Sequence, residues 1–121
     1  MRIERLKENM TDIAVVSSEE TIITDTQSAL ELAMTVKYET GAEKIVIEKR
    51  AFSEDFFVLR TGVAGEILQK FVNYHIKMAI YGDFSHYTSK PLKDFIYESN
   101  RGENFFFVAT KEEAIQRLTE I

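Results

Sequence analysis

The chain has 121 residues, 20 of them Asp or Glu against 15 Lys or Arg, for a formal net charge of −5. That length is one domain, and the acidic balance without a basic stripe excludes the usual nucleic-acid binder. The absence of cysteine excludes disulfides, thiolate catalysis and Cys-ligated zinc.

Hydrophobic residues make up 45% of the chain, nine of them Phe and five Tyr, which is ample for a core and argues against disorder. One Pro and five Gly leave little material for long loops. Met1–Glu8 has no apolar signal region, and no run approaches the roughly 20 apolar residues that a spanning helix needs. We therefore expect a cytoplasmic protein that engages no membrane.

Taken in order, Arg2–Leu6 alternates weakly and fits an edge strand. Glu8–Met10 supplies a turn, and Asp12–Val16 is a continuous β-branched run; together they predict an antiparallel hairpin. The second strand is apolar enough to be buried on both faces. Ser17–Glu20 reads as loop. Asp25 is placed to cap a helix whose apolar positions are Leu30, Ala33, Met34 and Tyr38, with Gly41 as its stop.

Lys44–Glu48 is the next strand, and Lys49–Asp55 connects it to a second helix. Ser53 is the expected cap of that helix, with Glu54 and Asp55 at its positive end. Phe57, Val63, Ala64, Ile67, Leu68, Phe71 and Val72 give the stretch Phe56–Tyr74 a helical period. Gly62 and Gly65 inside it cost about 1 kcal/mol each against Ala, so close packing is the expected reason for them.

Lys77–Tyr81 is a buried strand that ends in Gly82–Asp83. After the loop Phe84–Ser89, Pro91 fits only the first turn of a third helix, which carries Leu92, Phe95 and Ile96 and ends at Asn100–Gly102. Asn104–Ala109 is the last strand. Thr110–Glu113 reads as a capping box for a final helix with Ala114, Ile115 and Leu118. The order is ββαβαβαβα. It predicts a single α/β domain over 1–121, with one mixed, mostly parallel sheet of about five strands and four helices packed on it.

Ser53–Phe57, Ala64–Tyr74, Ala79–Ser85 and Asp94–Asn100 together resemble a family of small bacterial proteins catalogued as a domain of unknown function (number 4180). That likeness runs over almost the whole chain and brings no activity with it. More distantly, the element order, Met78–Asp83 and Glu112–Ile115 are similar to STAS domains of the anti-sigma-factor-antagonist type. In such antagonists a phosphorylated Ser precedes a Gly at the start of the second helix. Thr61–Gly62 falls near that place, preceded by Leu59–Arg60 where Asp-Ser is usual. The resemblance thus implies a STAS-like fold, a regulatory role and Thr61 as a site of phosphorylation.

Asp83 draws attention as a carboxylate at the carboxyl end of a central strand, where α/β sheets bind ligands. The plainer reading is a turn Asp bonded to the backbone N–H groups that follow. Glu48, Glu54 and Asp55 would join it in one pocket if neighbouring strands align their ends, as a Mg²⁺ site or an acid–base pair. The plainer alternative sets Glu48 and Asp55 against Lys49, Arg50 or Arg60 on the surface. His75 suits a helix carboxyl end. His86, with Ser85, Tyr87 and Ser89, offers a polar cluster beside Asp83.

No Gly-x-Ser-x-Gly elbow, P-loop or dinucleotide-binding turn is present, and the two His match no zinc spacing. With no catalytic signature in a complete fold, the expected function is a non-enzymatic regulatory or binding module. It would recognise a protein partner or small ligand, with Asp83, Glu54, Asp55 and His86 as ligand candidates and no cofactor or metal. The alternative is a small enzyme with an acidic site at the same strand ends, and a third reading is a homodimer. An exposed apolar face on the Phe56–Tyr74 helix would favour partner binding.

Overall fold

The fold is built outward from four parallel strands whose side chains are apolar on both faces. The structure, a computed structural model, describes all residues from Met1 to Ile121. Strands β1 (Arg2–Glu8) and β2 (Thr11–Ser17) form the hairpin, followed by α1 (Thr26–Thr40), β3 (Lys44–Glu48), α2 (Val63–Asn73), β4 (Lys77–Tyr81), α3 (Lys90–Arg101), β5 (Phe105–Val108) and α4 (Lys111–Thr119). Asn9 and Met10 close the hairpin with φ of 49° and 67°, the left-handed pair of a two-residue turn whose twist matches its strands. Arg2 faces Ser17 and Glu8 faces Thr11, with β1 antiparallel to β2.

The five strands lie in chain order, β1-β2-β3-β4-β5, and β2 to β5 are parallel. When each new strand is laid on the same side of the last, right-handed crossovers bring every connecting helix to one face. So α1, α2 and α3 share a face, where Ala29, Leu32 and Val36, then Ala64, Ile67 and Phe71, then Leu92 pack on Val16, Ile45, Ile47, Met78, Ile80, Phe105 and Phe107. The final helix α4 turns back beneath the sheet, and its Ala114 and Leu118 cover Ile13, Val15, Val46, Ala79 and Phe106. The alternation of side chains along each strand divides one β-branched and aromatic sequence between these two cores.

Local chemistry sets the helix ends. Asp25 and Ser28 form a reciprocal capping box at α1, and Gly41 ends that helix at φ 79°. At α4 one half of the expected box forms: Thr110 accepts from the Glu113 N–H at 3.1 Å. Helix α2 closes with the Ile76 N–H on the Phe71 carbonyl at 2.8 Å and the His75 N–H on the Val72 carbonyl at 3.2 Å. His75 itself is left-handed at φ 60°, the place usually given to Gly.

Four expectations change here. The stretch from Phe56 is not one helix: Glu54–Phe57 and Leu59–Thr61 are single 3₁₀ turns, and α2 begins only after Gly62, left-handed at φ 80°. This path buries Phe52, Phe56 and Phe57 in the core shared with α1, α2 and α3 before the helix starts. Ser53 makes no capping bond, and its Oγ is buried without a partner. Gly65 has open space where a Cβ would sit, so close packing does not account for it. The buried face of α1 is Ala29, Leu32, Ala33 and Val36; Met34 and Tyr38 are exposed.

Both sheet edges are managed. The outward side of β5 is met by the Asn100 side chain, which accepts from the Phe107 N–H at 2.7 Å and donates to its carbonyl at 3.1 Å. One amide side chain thus imitates a neighbouring strand on an edge that would otherwise invite pairing. Strand β1 carries Arg2, Glu4, Arg5, Lys7 and Glu8, charges that discourage another chain from adding there.

Candidate functional site

The carboxyl ends of β3 and β4 form an open rim. Gly82, at φ 156°, passes so close to Lys49 that a Cβ would lie 2.7 Å from the Lys49 Cβ. Glycine at this point therefore lets the loops after β3 and β4 touch. Around them is an open depression of about 440 Å³, lined among others by Glu48, Lys49, Arg50, Glu54, Tyr81 and Asp83.

Each carboxylate in it has a partner. Asp83 is exposed and accepts from the Ser85 N–H at 2.9 Å and the Ser85 hydroxyl at 2.6 Å. Those bonds, helped by His86 and Lys49, hold its carboxyl below the usual range. Glu48 pairs with Arg50 at 2.6 Å. Glu54 accepts from the Tyr87 hydroxyl at 3.3 Å. Tyr87 stacks on Phe57 with centroids 5.1 Å apart, and the Lys49 ammonium lies 4.8 Å from its ring centre. Burial, then the Glu54 charge and its hydrogen bond, push the Tyr87 phenol up to about 12.

Asp83, Glu54 and His86 are thus neighbours on this rim, with the His86 ring 4.2 Å from that of Tyr87. Asp55 is not part of the depression, and its carboxylate makes no ion pair with Lys49, Arg50 or Arg60; its backbone carbonyl instead accepts from the Thr61 hydroxyl at 2.8 Å. Thr61 sits apart from the rim, two residues before α2, and shares its hydroxyl proton with the Val58 carbonyl at 2.8 Å. No three His, Asp or Glu side chains are arranged to hold a metal ion. A general acid working near neutral pH needs a raised carboxyl pKa; at Asp83 the shift runs the other way.

A second surface was not singled out from the sequence. Leu30, Met34 and Tyr38 follow one another at i, i+4 and i+8 along α1, from half-buried Leu30, which packs against the front core, out to the solvent side. Met34 is 42% and Tyr38 90% exposed. Beside this row lies a groove of about 770 Å³ between α1 and α2, lined by Leu30, Met34, Tyr74, Glu31, Glu66 and neighbouring polar residues. The signal was present: Ala29, Leu30, Leu32, Ala33, Met34, Val36 and Tyr38 spread over about two thirds of the helix circumference, with Glu31, Thr35 and Glu39 on the remainder. That is wider than the apolar stripe a single sheet face covers.

These features define an α/β domain with one mixed five-stranded sheet, helices on both faces, an open polar rim and an exposed apolar helix face. The family model described as a domain of unknown function (DUF4180) matches residues 8–118, and the chain belongs to that family. Neither a curated protein nor a solved structure matches it. No helix is long and apolar enough to cross a membrane.

Proposed function

We propose that this chain is a non-enzymatic binding module of STAS-like architecture that recognises a protein partner through the outer face of α1 and the adjoining end of α2. The observation that carries this reading is the exposure of Met34 and Tyr38, one and two turns beyond half-buried Leu30, on a domain whose two cores are already complete. Large side chains grouped at helical spacing on a surface are the anchors of helix-mediated contacts. The STAS-like assignment draws support from the hairpin at one sheet edge, the strands in chain order and the three crossover helices on one face.

Within this reading Thr61 is the candidate for modification. A phosphate there would take the hydroxyl from two carbonyls and bring negative charge to the positive amino end of α2. The rival enzyme reading loses ground at the rim, where Asp83 is bonded by its own loop and the depression is open.

The test is capture of partners by the wild-type chain and by Met34→Asp, followed by reconstitution from purified components. A partner bound by the wild type and lost in the variant is the expected result. A thermal-shift screen against metabolites and metals, repeated with Asp83→Ala, covers the alternative. A ligand whose shift disappears in Asp83→Ala would return the function to the rim.

A further inference from the structure

Resting on that reading, the geometry points to the chemistry of the partner: an amphipathic helix with apolar anchors flanked by Lys or Arg. The groove floor is apolar, with Leu30, Met34 and Tyr74, and its charged lining residues are Glu31 and Glu66. No Lys or Arg lines it. The four ion pairs of the molecule, Arg5–Asp12, Lys37–Glu43, Arg50–Glu48 and Lys90–Asp94, all lie elsewhere. Glu31 accepts only an amide bond from Gln27 on its own helix, at 3.0 Å. Glu66 has no side-chain partner, and Lys70 one turn further along α2 makes no ion pair with it.

Two solvated carboxylates above an apolar floor complement a cationic ligand with an apolar side. They also decide between the remaining occupants. A second copy of this chain, meeting the groove by two-fold symmetry, would set the same patch against itself. That brings Glu31 and Glu66 towards two more carboxylates with no cation between, on molecules that each carry a net charge of −5. An acidic helix meets the same repulsion. Helix α1, at 15 residues, presents about 22 Å of surface, enough to lie along three or four turns of a partner helix. Helices that bind in this way place anchors at i, i+3 or i+4 and i+7. Here those anchors meet Leu30, Met34 and Tyr38, while Lys or Arg on the flanks reach Glu31 and Glu66.

The probe is a displayed library of amphipathic helices with apolar anchors fixed and Lys, Gln or Glu varied at the flanks. It is selected on the folded wild-type chain and competed with Met34→Asp. Clones that survive are expected to be rich in Lys at the flanks and to lose binding to Met34→Asp. Their affinity for Glu31→Gln/Glu66→Gln should fall at least about fivefold, the size of one good exposed ion pair, and added salt should erode that difference. Clones that bind the groove with Gln or Glu flanks overturn the cationic partner and leave the binding face standing. Clones indifferent to Met34→Asp, or no clones at all, overturn both. Self-association in sedimentation that Met34→Asp abolishes assigns the groove to a second copy and sinks this inference.

Discussion

Gly82 is the residue on which the rim depends, because a single methyl at this position meets the Cβ of Lys49 at 2.7 Å. A Cβ has no rotamer to escape into, so the loops after β3 and β4 must separate, and the φ of 156° is one that L side chains rarely adopt. Gly82→Ala should destabilise by about 1–3 kcal/mol in urea unfolding, and the Lys49 side-chain resonances should lose their shift from the Tyr87 ring. Tyr87 gives a second test. Its phenol is held up to about 12 in the folded chain and titrates near 10 when unfolded. Its contribution to stability is complete below about pH 10 and is lost as pH rises through about 12. Alkaline unfolding curves of Tyr87→Phe should be flatter in that window than those of the wild type. Equal slopes would mean that the phenol is not held up by its burial and by Glu54. Asp83 as a turn residue was legible in the sequence, since its partner Ser85 is two positions away. The Tyr87–Glu54 bond was not, because those residues are 33 positions apart and meet only once two loops are folded.

At the scale of elements the strands were easiest to read. Runs such as Lys44–Glu48 and Lys77–Tyr81 are short, β-branched or apolar, and bounded by turn residues, and all five lie where those signals fall. The helices were less transparent. In α1 the apolar residues cover two faces, and spacing alone picked Leu30, Met34 and Tyr38 over the buried Leu32 and Val36. The stretch before α2 looked helical because its aromatics are spaced for a helix, yet left-handed Gly62 divides it and 3₁₀ turns carry the aromatics inward. Two substitutions on α1 expose the difference: Leu32→Ala should cost about 2–5 kcal/mol, and Met34→Ala about 0.5 kcal/mol or less, in the same denaturant titration. Asn100 is the corresponding test at β5. Removing its side chain in Asn100→Ala leaves the Phe107 N–H and carbonyl without their partner, at a cost of about 1–3 kcal/mol. The freed edge should show as faster hydrogen exchange at Phe107 and as self-association on light scattering.

For the whole molecule, the asymmetry of the two sheet faces sets what the chain can lose. Three helices share the front, so each covers part of a continuous core, whereas α4 alone covers Ile13, Val15, Val46, Ala79 and Phe106 on the back. It is also fastened at its far end, where the Lys44 ammonium donates to the Leu118 carbonyl at 2.9 Å and the Ile121 carbonyl at 3.2 Å. The last turn of a helix favours a cation, and burial with the nearby Lys77 charge pushes the Lys44 pKa down. In the same last turn Arg117 donates to the Asn100 carbonyl and lies over the Phe106 ring at 4.3 Å, which ties α4 to the residue guarding the β5 edge. The back layer and the β5 edge should therefore fail together. Leu118→Ala, which thins the layer without removing it, should cost about 2–5 kcal/mol and leave one cooperative transition. Truncation after Ala109 takes away the layer, the Lys44 acceptors and the Arg117 tie at once, and should yield no soluble monomer. A truncated chain that unfolds cooperatively as a monomer would show that the front core holds the sheet by itself and that α4 is an accessory.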